Sequence, residues 1–180
     1  MKIIAKIILV LLVLPAIGQN KLMDRNAQIK FESNAPVDDD VRAVNKQVAA
    51  ILVEESGDLA FQVLIKGFEF KKALMQEHFN ENYMESDKFP KARFKGGIAD
   101  FSTLSLNSEP QNVDITGELE IKGKTKGISV SGTMAKSDDG YILDAKFPIT
   151  ITDFGIKIPE LVADKVSKVF DVEVHAEFKK

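Results

Sequence analysis

Two histidines, His78 and His175, are the only side chains of this 180-residue sequence whose ordinary pKa lies near neutrality, and the sequence has no cysteine. That inventory bounds the chemistry. Structural zinc sites draw their four ligands mainly from Cys and His, so two histidines alone argue against a metal site. The lack of thiols excludes disulfides, thiolate ligands, cysteine nucleophiles and a lipoprotein anchor. His78 could serve as a general base only with a partner in hydrogen-bond reach, and no motif sets a Ser or Asp beside it. Its simpler role, within Gln76-Glu77-His78-Phe79, is a hydrogen bond that fixes a helix. His175 falls on the polar side of an alternating segment and is expected to be solvated. Asp38-Asp39-Asp40 lacks the spaced Asp, Gly and Glu ligands of a calcium loop and reads as an acidic turn. Lys122, Lys124 and Lys126 cluster at one chain reversal, as a solvated tip or as contacts for an acidic head group. No catalytic residue and no metal ligand is assigned.

Composition narrows the classes further. Apolar content of 44% and charged content of 28% argue against both disorder and a polytopic membrane protein. The formal charge of -3 becomes about -5 without Lys2 and Lys6, and no predicted face carries clustered Lys and Arg, so nucleic acid is not an expected partner. Met1 to Lys6 is short and basic, and an apolar run from Ile3 to Leu14 is broken only by Lys6. Pro15 and the small-x-small tripeptide Ala16-Ile17-Gly18 follow, as at a signal-peptidase site. About 12 apolar residues fall short of the roughly 20 needed to span a bilayer. The reading is a leader of residues 1–18, cleaved near Gly18-Gln19, and one domain over 19–180 in the periplasm or outside the cell.

The elements of that domain follow from spacing. Apolar residues alternate with period two, the mark of half-buried strands, in eight segments. The first contains Ile29 and Phe31, the second Val48 to Val53, and the third Leu59, Phe61, Val63 and Ile65, running past a kink or bulge at Gly67 to Phe68 and Phe70. Ala92, Phe94, Gly96 and Ile98 make the fourth, and Val113, Ile115, Gly117, Leu119 and Ile121 the fifth. Ile128, Val130, Gly132 and Met134 make the sixth, Tyr141 to Ile151 the seventh, and Phe170 to Phe178 the eighth. Glu54 to Asp58, Asn107 to Pro110, Gly123 to Gly127 and Ser137 to Gly140 supply turns. Between Lys72 and Met84 the period changes: Leu74, Met75, Phe79, Tyr83 and Met84 predict a short irregular helix ending before Phe89-Pro90. Pro159 to Val166 reads as a connector.

Eight long strands, each with one apolar face, leave open edges unless the sheet closes. The expectation is an all-β, eight-stranded antiparallel barrel with one short helix; two packed sheets are the rival. Gly96, Gly117 and Gly132, inside apolar faces, favour the barrel, since close approach or bending is needed there. A barrel of this size is either filled by its own side chains or wide enough for one slender ligand. The alternation leaves both open.

Ile29-Lys30-Phe31-Glu32-Ser33, the helix running through Tyr83-Met84-Glu85-Ser86-Asp87-Lys88-Phe89-Pro90, the stretch Gly117-Glu118-Leu119-Glu120-Ile121-Lys122-Gly123-Lys124-Thr125-Lys126, and Thr152-Asp153-Phe154-Gly155-Ile156 together resemble the YceI-like proteins. The likeness covers about Ala27 to Phe178 and departs at Gln47 to Leu52, where many relatives carry a glycine and a larger aromatic residue. It implies a lipocalin-like barrel holding a long isoprenoid or other amphiphilic chain, tail inside and head at the mouth, often in a dimer. The lumen is then expected to be lined by Phe31, Phe61, Val63, Ile65, Phe94, Ile98, Leu119, Ile121, Ile128, Val130, Phe147 and Ile149. The implied function is non-catalytic binding, storage or transport of an isoprenoid, isoprenoid quinone or fatty-acid-derived chain. A membrane donor or acceptor protein and a homodimer are possible partners, and no cofactor beyond a bound lipid is implied. The alternatives are a surface-acting module with a self-packed barrel, and an enzyme using His78.

Overall fold

The computed structural model describes residues 20–33, 41–158 and 167–180. The leader, the Asp38 to Asp40 turn and the Pro159 to Val166 connector lie outside the described residues. Eight long strands are present: β1 (Lys21–Ser33), β2 (Arg42–Val53), β3 (Asp58–Leu64), β5 (Lys91–Ile98), β6 (Gln111–Ile121), β7 (Lys124–Lys136), β8 (Gly140–Thr150) and β9 (Val169–Lys179). A two-residue strand, β4 (Glu69–Phe70), and one helix, α1 (Ala73–His78), separate β3 from β5. The order β1-β9-β8-β7-β6-β5-β3-β2 closes through a β1–β2 pairing, and every neighbouring pair is antiparallel. This is the eight-stranded lipocalin-like barrel, not two packed sheets.

Its polarity is set by alternation. Outward positions carry Lys30, Glu173, Arg93 and Glu120, which pair across strands, while Leu52, Leu59, Leu143 and Phe178 point inward and are buried. A polar outside and an apolar inside reverse the pattern of an outer-membrane barrel.

Two strands begin earlier than their apolar pattern. β1 starts at Lys21 and places Leu22 and Ala27 in the core, but register shifts between Asp24 and Ile29 break the period-two signal. β2 starts at Arg42 and turns the polar Asn45 inward, fully buried. Burying that amide without partners would be costly. Its Nδ2 donates to the Leu64 carbonyl at 2.9 Å, and its Oδ1 accepts from the Gln47 N–H at 2.9 Å. Gly67 lies against this amide: a Cβ there would stand 2.7 Å from Asn45 Nδ2. The expected kink at Gly67 is thus a full 3₁₀ turn, Ile65–Gly67, by which the chain leaves β3 and returns as β4 on the upper part of β2.

The predicted helix divides in two. α1 ends at His78 and the chain continues as one π-helical stretch, Phe79–Tyr83. The Gly123 to Gly127 reversal is tighter than expected: Ile121 pairs with Lys124, so only Lys122 and Gly123 turn, both at positive φ (48° and 70°). That is the φ requirement of the hairpin turn matching strand twist.

Candidate functional site

The barrel interior has two unlike halves. Toward the β2–β3 and β7–β8 turns it is filled: Leu22, Leu52, Met134 and Phe178 are each no more than 1% exposed. The loop after β5 closes this end with buried Phe101, whose ring meets Tyr141 edge-on at 5.7 Å. Burial, and secondarily the nearby Glu54 carboxylate, raises the Tyr141 phenol above its usual pKa. The opposite half is hollow. A cavity of about 360 Å³ lies there, within the roughly 300–1,000 Å³ common for small-molecule sites.

Eleven of the twelve residues expected in the lumen line this cavity: Phe31, Phe61, Val63, Ile65, Phe94, Leu119, Ile121, Ile128, Val130, Phe147 and Ile149. Ile98 does not. It is buried at the cavity's inner end, where its cross-strand partner Ile115 lines the space and Ile98 does not, because alternation assigns a face but no depth along the barrel axis.

The mouth is built around Phe31. Its ring lies 5.1 Å from Phe68, 5.8 Å from Phe70, 5.5 Å from Phe79 and 5.8 Å from Phe170. These rings join β1, the turn after β3, β4, the helical segment and β9, and aromatic pairs at such spacing add about 0.5–1.5 kcal/mol each beyond burial. The helical segment is held over the rim from both sides. The Phe70 N–H donates to Gln76 Oε1 at 3.2 Å, and Lys122 Nζ donates to the Tyr83 carbonyl at 2.9 Å while pairing with Glu85 at 2.6 Å. The Lys122 ammonium holds the Glu85 carboxyl below its usual range. Lys122 therefore turns back into the rim instead of joining Lys124 and Lys126 at an exposed tip.

One wall is incomplete. β7 pairs with β8 only from Gly132 to Lys136, and beyond the Gly132–Ala145 pair β7 keeps β6 alone and β8 keeps β9 alone. Proline belongs on edge stretches because it donates no ladder hydrogen bond, and Pro148 lies in this stretch of β8. The 3₁₀ turn Ile151–Phe154 folds back toward β7, and buried Phe154 and Ile156 complete the lining.

Among the described lining residues only His78, Tyr83 and Arg93 carry polar side-chain groups. Arg93 Nη1 donates outward to Glu120 Oε2 at 3.2 Å. His78 is exposed at the rim and makes no side-chain hydrogen bond, so the helix is fixed by Gln76 and by Lys122, not by His78 as the sequence suggested. No Ser, Thr, Cys, Asp, Glu or Lys is among the described lining residues. His175 lies outside the barrel with Nδ1 2.7 Å from Asp144 Oδ1, and this hydrogen bond raises its pKa. Among the described residues no cluster of three or more His, Cys, Asp or Glu is placed to hold a metal ion, and no helix is long and apolar enough to cross a membrane.

Several strand residues outside the expected set, such as Ile29, Leu59, Ile115 and Leu143, also line the cavity, and so do residues without strand period: Phe154 and Ile156, read as connector, and Phe79 and Met84, read only as helix. The sole sequence signal for Phe79, Met84, Phe154 and Ile156 was apolarity within segments lacking strand period.

Comparison with known proteins agrees with this architecture. The YceI-like domain family matches residues 21–178. A polyisoprenoid binding domain from Saccharophagus degradans, implicated in plant cell wall breakdown, superposes with a TM-score of 0.77 at 12% identity, over 90% of this chain and 99% of that one. Burkholderia cenocepacia BcnA gives 0.70 at 16% identity over 83% and 94% of the two chains. A Campylobacter jejuni YceI protein gives 0.55 at 19% over 76% and 83%. Comparison with curated protein sequences finds no match.

Proposed function

The chain belongs to the YceI-like family, and we propose that it binds an amphiphilic lipid, with the apolar chain in the cavity and the polar head at the mouth. The observation that carries this reading is the hollow half of the barrel, walled by hydrocarbon and aromatic rings. Burial contributes about 25 cal/mol per Å² of apolar surface, so a chain held there needs no charged partner. The polyisoprenoid-binding relative makes an isoprenoid, an isoprenoid quinone or a fatty-acid-derived chain the first ligands to test.

The binding is non-catalytic. This reading is supported by the described lining, where the rim histidine has no nucleophile or carboxylate beside it of the kind general acid–base chemistry requires. The basic start, apolar run and Ala16-Ile17-Gly18 step support export to the periplasm with cleavage near Gly18-Gln19. There the protein, as a monomer or homodimer, takes its lipid from a membrane or donor protein and gives it to an acceptor.

The test is native mass spectrometry with lipid extraction on protein purified from its own cell envelope. A stoichiometric apolar adduct is expected, lost in Phe61→Asp while the fold persists. A clean apo mass that stays clean after mixing with envelope lipids overturns the proposal in favour of a surface-acting module.

A further inference from the structure

Where the hollow half gives way to the filled one, Leu59, Ile115 and Leu143 close the cavity's inner end, and two opposed rings stand over them. Phe61 on β3 and Phe94 on β5 are direct cross-strand partners, their centroids 6.4 Å apart, and Phe61 rests edge-on against the fully buried Phe178 at 6.2 Å. The Phe94 ring reaches down the barrel over Gly96 and Gly117, which face each other across β5 and β6. A Cβ on either glycine would lie 2.7 Å from the tip of that ring and within 2.6 Å or less of the opposite backbone. The glycine pair therefore lets β5 and β6 approach closely and lets the Phe94 ring lie directly against their backbones.

Resting on the lipid-binding reading, we infer that Phe94, backed by Phe61, sets the length of apolar chain that this protein binds. A chain entering at the Phe31 rim runs inward until it meets these rings. Beneath Leu59, Ile115 and Leu143 the barrel is close-packed with Leu22, Leu52, Met134 and Phe178, so any further segment stays at the mouth in water and adds nothing to affinity. Phe94 is the determining position because the glycines beneath it have no side chains that can move into the space its ring vacates.

The experiment is titration calorimetry of the whole mature protein with linear isoprenoid alcohols lengthened one isoprene unit at a time. For wild type, each unit that fits raises affinity by about tenfold or more, and the rise stops at a definite length. In Phe94→Ala the stop moves at least one unit longer. Phe94→Leu, with melting recorded alongside, supplies the milder truncation if the alanine variant does not fold, and moves the stop in the same direction. Phe79→Leu, at the mouth, lowers affinity along the whole series with the stop unmoved. A stop at the wild-type length in both Phe94 variants overturns the inference, as does a wild-type series that rises without a stop. Failure of wild type to bind any member instead overturns the lipid-binding reading.

Discussion

Lys122 Nζ lies 2.6 Å from a carboxylate oxygen of Glu85, and both residues hold their backbones at a φ of 48°, a left-handed conformation uncommon outside glycine. One terminates the helical segment and the other turns the β6–β7 hairpin, so the ion pair fastens the only helix among the described residues to the barrel rim. The Lys122 side chain is 12% exposed, far drier than a typical surface pair, and it also satisfies the Tyr83 carbonyl.

Removing that fastening has a local signature. Lys122→Met is expected to lower the melting temperature by several degrees and to speed amide hydrogen exchange across 73–89, leaving the strands of the filled half protected. Uniform acceleration over all strands would show that the pair supports the barrel as a whole.

The glycines separate sharply by environment. At Gly96 a Cβ would stand 2.1 Å from the Thr116 carbonyl oxygen, whereas at Gly127 nothing lies within 4 Å. Gly96→Ala is expected to cost about 1–3 kcal/mol or prevent folding. Gly127→Ala is expected to stay within about 0.5 kcal/mol of wild type. Urea denaturation of the two variants checks the contrast, and equal midpoints would contradict the close approach of β5 and β6.

Two phenylalanines of the same alternating pattern differ in surroundings. Phe178, fully buried in the filled half, is expected to cost about 3–5 kcal/mol on replacement by alanine. Phe147 borders the cavity and is partly exposed, so Phe147→Ala is expected to cost clearly less. Chemical denaturation of the ligand-free protein decides; equal losses would mean that the cavity half is as tightly packed as the other.

The His175–Asp144 contact gives a pH dependence with a defined sign. Its hydrogen bond to Asp144 raises the folded-state pKa above the usual value, so the contribution is complete below the unfolded pKa and disappears as pH rises through the folded one. Stability is therefore expected to fall as pH increases from about 6 to about 8, and His175→Gln is expected to remove that component. Melting temperatures of both proteins across this range test it; a slope retained in full by the variant assigns the effect elsewhere.

Alternation over eight segments was enough to identify the strands, their inward faces and the closed barrel, and eleven of the residues expected inside line the cavity, but many others that line it, among them Leu59, Ile115, Phe154 and Ile156, were not singled out. Those features are local: a period of two fixes which side chains share a face, and the cost of unpaired edges forces closure. The inward Asn45 and the inward turn of Lys122 were not legible, because each depends on a partner distant in sequence, the Leu64 and Tyr83 carbonyls respectively. Depth along the barrel was also decided only by tertiary structure. Ile98 and Ile121, or Phe178 and Phe147, obey one pattern, yet only the second of each pair lies against the cavity. Whether facing side chains meet or leave a space depends on strand stagger, on which residues stand opposite, and on a glycine pair that gives one ring room to lie down. Sequence thus determined a barrel with an apolar interior, and packing between distant strands decided that half of it is hollow.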